Sequence, residues 1–322
     1  MSAPTLLVGD VGGTNARFAT VRLVDGRPVL DRVESYPTRR FPTLLAGVAA
    51  FLDGCPVRPT GGVIAVAGPV TGGEIDLTNS PWRVSESELA TLGLDPIRLI
   101  NDFVAQAWGA PIIMPDQLAS LGGPGAGDPN ATLAVIGPGT GFGVSALVRD
   151  IAGRQMAMAS EGGHACFAPT DPVEDEVLRI MRRRYGRVSI ERLICGPGLL
   201  NLHRALAEID GRDSHIDDPA AITEAALADP HSPCGATLTR FCAILGSVAG
   251  DIALTIGARG GVFIAGGIAP RILPFLKVSP FRERFEHKGR FQDYMAAIPT
   301  RVIMHKHAAL LGAGRVAFAD PG

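Results

Sequence analysis

Leu6-Leu7-Val8-Gly9-Asp10-Val11-Gly12-Gly13-Thr14-Asn15-Ala16-Arg17-Phe18-Ala19-Thr20-Val21 decides how the chain is read. An apolar run on each side of a glycine turn gives strand, tight turn, strand. Paired glycines let the backbone come close to a ligand and adopt dihedrals that other residues resist. Amides of such a turn point at phosphate oxygens, and Asp10 is placed to hold the waters of a magnesium ion. A hairpin whose glycines only satisfy turn geometry fits the same residues. The pattern returns at Leu133-Ala134-Val135-Ile136-Gly137-Pro138-Gly139-Thr140-Gly141-Phe142-Gly143-Val144. Aligning Gly9 with Gly137 keeps the apolar flanks in step and sets Pro138 against Asp10, so a duplicated half is expected, with a carboxylate in the first copy alone.

Outward from the first hairpin, residues 5–34 read as an antiparallel meander, and Leu44, Leu45, Val48, Ala49, Phe51 and Leu52 fall at helical spacing. The unbroken apolar run 62–67 predicts a strand covered on both faces, opening into a loop at Gly68-Pro69. Ser85 and Glu88 have capping-box spacing. Ile97-Arg98-Leu99-Ile100 reads as a strand, and Phe103, Val104, Ala107 and Trp108 as a helical stripe. Asn101 and Asp102 therefore occupy a strand-to-helix junction, where either could serve simply as the N-cap. The Gly- and Pro-rich stretch 122–130 reads as a mobile loop beside a domain boundary.

In the second half, residues 156–160 predict a strand running into Glu161-Gly162-Gly163-His164, a bend able to turn both polar side chains into one pocket. No further His or Cys follows at ligand spacing, which argues against a metal pair. Glu191 lies near the start of a short helical turn, where an acidic residue complements the helix dipole. Residues 213–233 are polar and expected to be peripheral, while 235–258 predict a long buried helix. Gly260-Gly261-Val262-Phe263-Ile264-Ala265-Gly266-Gly267 gives a buried strand and a glycine turn against which a purine could lie, and the same residues suit an ordinary strand-to-helix loop. Residues 310–316 read as a closing helix packed by its small side chains.

Composition narrows the classes. The 322 residues suggest two domains with ample size for a core. Lys and Arg total 30 against 32 Asp and Glu, so no global field recruits nucleic acid or an anionic membrane. The five cysteines are odd in number and form no C-x-x-C pair, which suggests neither a disulfide framework nor a zinc site and fits a reducing cytoplasm. The N-terminus reaches its first strand without a basic leader, and the apolar run near 242–258 is interrupted by Asp251, so neither export nor a membrane span is expected.

The order of these motifs resembles the actin, Hsp70 and sugar-kinase superfold. Within it, G-D-V-G-G-T-N-A-R, I-N-D-F, G-P-G-T-G-F-G, S-E-G-G-H, E-R-L-I-C-G-P-G-L and the 260–269 turn look like the bacterial glucokinase family of ATP-dependent hexokinases. The likeness spans nearly the whole chain. The repressor-kinase group of the same fold usually carries a cysteine-rich zinc motif, which is missing here.

The resemblance implies an α/β, two-domain actin-like ATPase (ribonuclease H-like) fold with a duplicated mixed-sheet core and a central cleft. Residues 1–110 with 303–322 would form a small N-terminal domain closed by the last helix, and 111–302 a large one. It implies glucose and ATP as substrates, Mg2+ as cofactor, a cytoplasmic homodimer, and no nucleic-acid or membrane partner. Asp102 would be the general base. Asn101, Asp102, Glu161, His164 and Glu191 would bind the sugar. Gly9, Asp10, Val11, Gly12, Gly13 and Thr14, with Gly137, Gly139, Thr140 and Gly141, would hold phosphates, Asp10 would position hydrated magnesium, and Gly266 and Gly267 would receive the adenine side. The rival readings are a kinase for another hexose, a non-catalytic sugar-sensing module and a nucleotide-driven ATPase.

Overall fold

A computed structural model describes residues 4–77 and 82–319, so the outermost ends of the expected N-terminal domain lie outside the described residues. The chain divides into two compact units, Met1–Met114 with His305–Gly322 and Pro115–Met304.

Unit one opens with the meander β1 (Leu6–Val11), β2 (Asn15–Val24) and β3 (Arg27–Pro37). Asp25 and Gly26, both at positive φ, make the tight turn between β2 and β3. Helix α1 (Leu44–Asp53) starts at Thr43, whose side chain accepts from the Ala46 amide, and buries Leu44, Val48, Phe51 and Leu52. Strand β4 (Gly62–Val66) is buried along its length and runs parallel to β1. A small ribbon, β5 (Glu74–Asp76) and β6 (Arg83–Ser85), leads to α2 (Glu86–Ala90), β7 (Ile97–Asn101) and α3 (Asp102–Gly109). The sheet order is β3-β2-β1-β4-β7.

The capping box expected of Ser85 and Glu88 does not form. Ser85 is the N-cap residue of α2 but makes no side-chain cap bond; its hydroxyl meets that of Ser87 at 2.6 Å. The helix is only five residues long, and a more distant contact anchors it, the Glu86 carboxylate accepting from the Leu99 amide at 2.7 Å.

Unit two repeats the plan. Its strands are β8 (Leu118–Gly122), β9 (Leu133–Pro138), β10 (Phe142–Arg149), β11 (Gln155–Ser160), β12 (Val262–Ile264) and β13 (Thr300–Ile303). Between β11 and β12 come α4 (Pro172–Tyr185), α5 (Gly196–Ile209), α6 (Pro219–Ala228) and α7 (Pro233–Ile256). After β12 follow α8 (Ile268–Arg271), α9 (Leu273–Val278), α10 (Phe281–Glu286) and α11 (Gln292–Ala296). The sheet order is β11-β10-β9-β12-β13-β8. From the first edge inward, both sheets read antiparallel, antiparallel, parallel, parallel, and the second adds β8 antiparallel to β13.

Three expectations are corrected here. The hairpins align one residue away from the register read in the sequence. Val11 faces Ala16 in the last pair before the first turn and Pro138 faces Phe142 in the last pair before the second, so Pro138 corresponds to Val11 and Gly137 to Asp10. The flanking strands are buried on both faces, so their apolar runs carry no period-two signal to fix register. The stretch 213–233 contains α6, whose Ile222 and Ala226 are wholly buried in the core of unit two. The Gly- and Pro-rich connection begins inside the sheet, since Gly122 ends β8.

Helix α7 is long and apolar enough to cross a membrane by length and composition, yet 61% of its most apolar window is buried inside the fold. Leu238, Phe241, Ile244 and Leu245 place it in the core against α5, α6 and α10. Across its packing with α5, the buried His203 ring meets the Thr237 hydroxyl at 2.8 Å. Burial, helped by Arg212 and Arg204, holds the His203 pKa below its ordinary value. A depressed imidazole favours the neutral form in the folded state, so the unfolded chain binds the extra proton first. Stability is therefore expected to fall as pH drops below about 6.5, the ordinary histidine value. Melting curves between pH 7.5 and 5.5 should show a steeper loss for the wild type than for His203→Gln.

The last helix, α12 (Ala308–Ala317), belongs to unit one. Ala309, Leu310, Ala313 and Val316 cover Val8, Ala19, Val63, Ala65 and Ala105. The approach to α3 is backbone to backbone: a Cβ on Gly312 would overlap the Ala105 carbonyl oxygen. Only glycine permits that separation.

Candidate active site

Parallel strands β1, β4 and β7 finish in one row, Val11 beside Val66 and Val66 beside Asn101. The carboxyl edge of this sheet therefore collects the first glycine turn, the Gly68 loop and the Asn101-Asp102 junction. Such an edge is where open α/β sheets place ligands.

At the junction the N-cap is Asn101. Its Oδ1 accepts from the amides of Phe103 at 2.9 Å and Val104 at 3.2 Å, and its Nδ2 donates to the Gly68 carbonyl at 3.1 Å. Asp102 is the first helical residue, half-buried, with Oδ1 accepting from the Phe103 amide at 2.9 Å. Capping of α3 is thus already provided by the neighbour of Asp102.

The first turn is braced from β3 and the residue beyond it. Thr38 donates through its hydroxyl to the Gly12 carbonyl at 3.2 Å and through its amide to the Thr14 carbonyl at 2.9 Å. The Gly12 amide is used within the turn, donating to Asn15. Among the described residues, no acceptor meets the amides of Gly13 and Thr14. Gly9 and Val11 are buried beneath the turn, so Val11 offers a ligand nothing but backbone. Asp10 is half-buried and paired with Arg17, whose Nη1 lies 3.0 Å from its Oδ2. Burial pushes the Asp10 carboxyl above the usual range, and the charges of Arg17 and His307 pull against it.

In unit two, Glu161 ends the strand side of a short turn and its carbonyl accepts from the His164 amide at 2.9 Å. Both side chains are exposed. That turn packs on the turn Ile190–Arg192, and Arg187 donates to the His164 carbonyl. Glu191, half-buried, accepts through Oε2 from the Phe142 amide at 2.8 Å. Gly139, Thr140 and Gly141 form the second turn, closed by the Gly139 amide donating to the Gly141 carbonyl at 2.8 Å. Gly266 follows β12 at φ +82, and a Cβ there would lie 2.5 Å from the Pro138 carbonyl oxygen. Gly137, Gly139, Thr140, Gly141, Glu191 and Gly266 are thereby brought together. Gly267 is exposed and begins α8 as its N-cap residue.

The sequence does not mark Thr38 as part of the site. Thr38 acts across 26 residues of chain, and no local pattern marks such a partner.

Two duplicated sheets, each ending in a glycine hairpin, define the two-domain actin-like ATPase fold of the sugar kinases. The glucokinase family model matches residues 7–319, and the chain belongs to that family. It is 50% identical over 312 residues to the glucokinase of Caulobacter vibrioides (strain NA1000 / CB15N), covering 95% of this chain and 93% of that one. It is 46% identical over 327 residues to the glucokinase of Xanthomonas euvesicatoria pv. vesicatoria (strain 85-10), covering 98% and 96%. The crystal structure of a glucokinase from an Antarctic psychrotroph superposes with a TM-score of 0.89 at 36% identity, covering 97% of this chain and 98% of that one.

Proposed function

We propose that the chain transfers the γ-phosphoryl group of ATP to the 6-hydroxyl of D-glucose, giving glucose 6-phosphate and ADP, with Asp102 as general base. The observation that carries this reading is the junction after β7. Asn101 supplies the helix cap, so the Asp102 carboxylate, on the same sheet edge as Asp10 and the Gly12-Gly13-Thr14 turn, is not required for capping.

Phosphoryl transfer asks for positioning and charge stabilisation more than for covalent chemistry. Asp102 takes the proton of the 6-hydroxyl as that oxygen attacks in line. Asn101, Glu161, His164 and Glu191 bind the sugar hydroxyls. Polar groups of this kind reject a sugar with a displaced hydroxyl, because they are then left unpaired. The amides of Gly13 and Thr14 and of Thr140 and Gly141 hold phosphate oxygens, with Gly9, Val11, Gly12, Gly137 and Gly139 shaping the turns. Gly266 and Gly267 receive the adenine side.

The residues fit a hydrated magnesium ion. Among the described residues no group of three or more His, Cys, Asp or Glu forms a metal cage, whereas magnesium is commonly held by one or two carboxylates with water and phosphate. Asp10, paired with Arg17 through Oδ2, would hold it through water, and the ion would supply charge neutralisation on the phosphates. Unit one acts as the small domain and unit two as the large one, in a cytoplasmic homodimer.

One assay tests the reading. ADP release with Mg-ATP is expected with glucose and to be weaker with fructose, mannose and N-acetylglucosamine. Equal release without any sugar would make the protein an ATPase, and no release with any hexose would make it a sensor.

A further inference from the structure

In unit two a single segment grips the second glycine turn at both ends. The Phe142 amide donates to Glu191 Oε2 at 2.8 Å, and the Gly196 amide donates to the Gly139 carbonyl at 2.9 Å. Thr140 and Gly141 lie between these anchors. The segment is itself fixed, because the Leu193 amide returns to the Ile190 carbonyl at 3.0 Å and the Cys195 thiol donates to the Glu191 carbonyl at 3.0 Å. The backbone of Glu191 thus has a fixed place at the head of α5. Its carboxylate fills the space beside Gly141: a Cβ there would lie 2.5 Å from Oε2. A carboxylate offers about four acceptor positions on two oxygens. The Phe142 amide occupies one of them on Oε2, which leaves Oε1 for another donor.

We infer that Glu191 is the positioning residue of the Gly139-Thr140-Gly141 loop, and that through it a sugar bound on Oε1 tightens the protein's hold on nucleotide phosphates. The inference rests on Glu191 being a sugar ligand, as proposed above. Without sugar, a half-buried carboxylate exchanges rotamers and the Phe142 amide is intermittently released. A hydroxyl on Oε1 fixes the side chain, keeps the Phe142 bond made and pre-sets the amides of Thr140 and Gly141. The nucleotide then has less chain to order on arrival. Linkage makes the effect reciprocal, so nucleotide tightens glucose by the same factor.

Calorimetric titration of the full chain with a magnesium-bound, non-hydrolysable ATP analogue, with and without saturating glucose, measures the coupling. Wild type is expected to show a tightening of roughly 5- to 150-fold, the usual range for linked sites. In Gly141→Ala the new methyl group meets the flexible end of Glu191 and displaces Oε2 from the Phe142 amide. Glucose should bind more weakly, because the displaced carboxylate also carries Oε1, while the coupling, read at saturating glucose, falls close to unity. Glu191→Gln keeps an acceptor for Phe142 and should retain part of the coupling. Glu191→Ala should lose both glucose affinity and coupling, and it carries the test if Gly141→Ala melts before it can be titrated.

A merely structural role would weaken nucleotide binding equally with and without glucose and leave the ratio intact. Wild-type coupling in folded Gly141→Ala, or no coupling in the wild type, overturns the inference. Unchanged glucose affinity in Glu191→Ala instead overturns the assignment of Glu191 as a sugar ligand, and the inference with it. Weakened glucose binding with the full ratio at saturating sugar overturns the inference alone.

Discussion

Asp102→Asn is expected to lower turnover roughly 100- to 10,000-fold, the range for loss of a general base, while glucose affinity changes little. That corresponds to about 3–5 kcal/mol of transition-state stabilisation. The amide matches the carboxylate in size and can still accept from the Phe103 amide, as Asp102 Oδ1 does at 2.9 Å, but it cannot take the hydroxyl proton at neutral pH. The fold should be untouched, because Asn101 caps α3 through Phe103 and Val104. Rapid-mix measurement of ADP formation, with calorimetric glucose binding on the same preparation, separates the two effects. Near-wild-type turnover would remove Asp102 from the chemistry, and lost glucose binding would recast it as a sugar ligand first.

Glu174→Ala should destabilise unit two by about 3–5 kcal/mol, the cost of breaking a buried charge cluster from one side. Glu174 is buried at the start of α4 with its side chain 1% exposed. Oε2 accepts from the amide and hydroxyl of Thr170, each at 2.9 Å. Oε1 receives Arg284 at 2.7 Å and Arg240 at 3.1 Å, so one carboxylate joins α4 to α7 and α10. Asp171, which both arginines also reach, is held below the usual carboxylate range, its burial outweighed by the Glu174 amide and the two guanidiniums. Removing Glu174 leaves two partly buried guanidiniums facing one aspartate. Glu174→Gln preserves the Thr170 bonds and should lose less. A calorimetric scan in which the alanine variant melted within a degree or two of wild type would show the cluster to be dispensable.

Much of the architecture is legible because its central strands announce themselves. The apolar runs 62–67 and 133–137 and their glycine turns need no partner to be recognised. Elements whose stability comes from elsewhere were harder to see. Helix α6 buries only Ile222 and Ala226, too few to make a stripe. Strand β8, Leu-Ala-Ser-Leu-Gly, has no buried residue and an exposed Ser120, and it exists because β13 pairs with it. The junction of β7 and α3 was visible but not its division of labour, since Asn and Asp are both good caps and only geometry shows the Asn101 amide making the bonds. The bracing of the glycine turns was invisible for a different reason. Thr38 on Gly12 and Glu191 on Phe142 are contacts between distant segments; nothing local marks Thr38, and the sequence offers Glu191 for the helix dipole or the sugar without showing its contact to Phe142.

The return of α12 to unit one has a consequence for the chain as it leaves the ribosome. Unit one is split in sequence by the 190 residues between Pro115 and Met304. At about 5–20 residues per second, synthesis of that insertion takes roughly 10–40 s. Throughout that interval Val8, Ala19, Val63, Ala65 and Ala105 lack the cover that Leu310, Ala313 and Val316 later give them. The first domain to emerge is therefore the last to be completed, its apolar face left uncovered until α12 arrives.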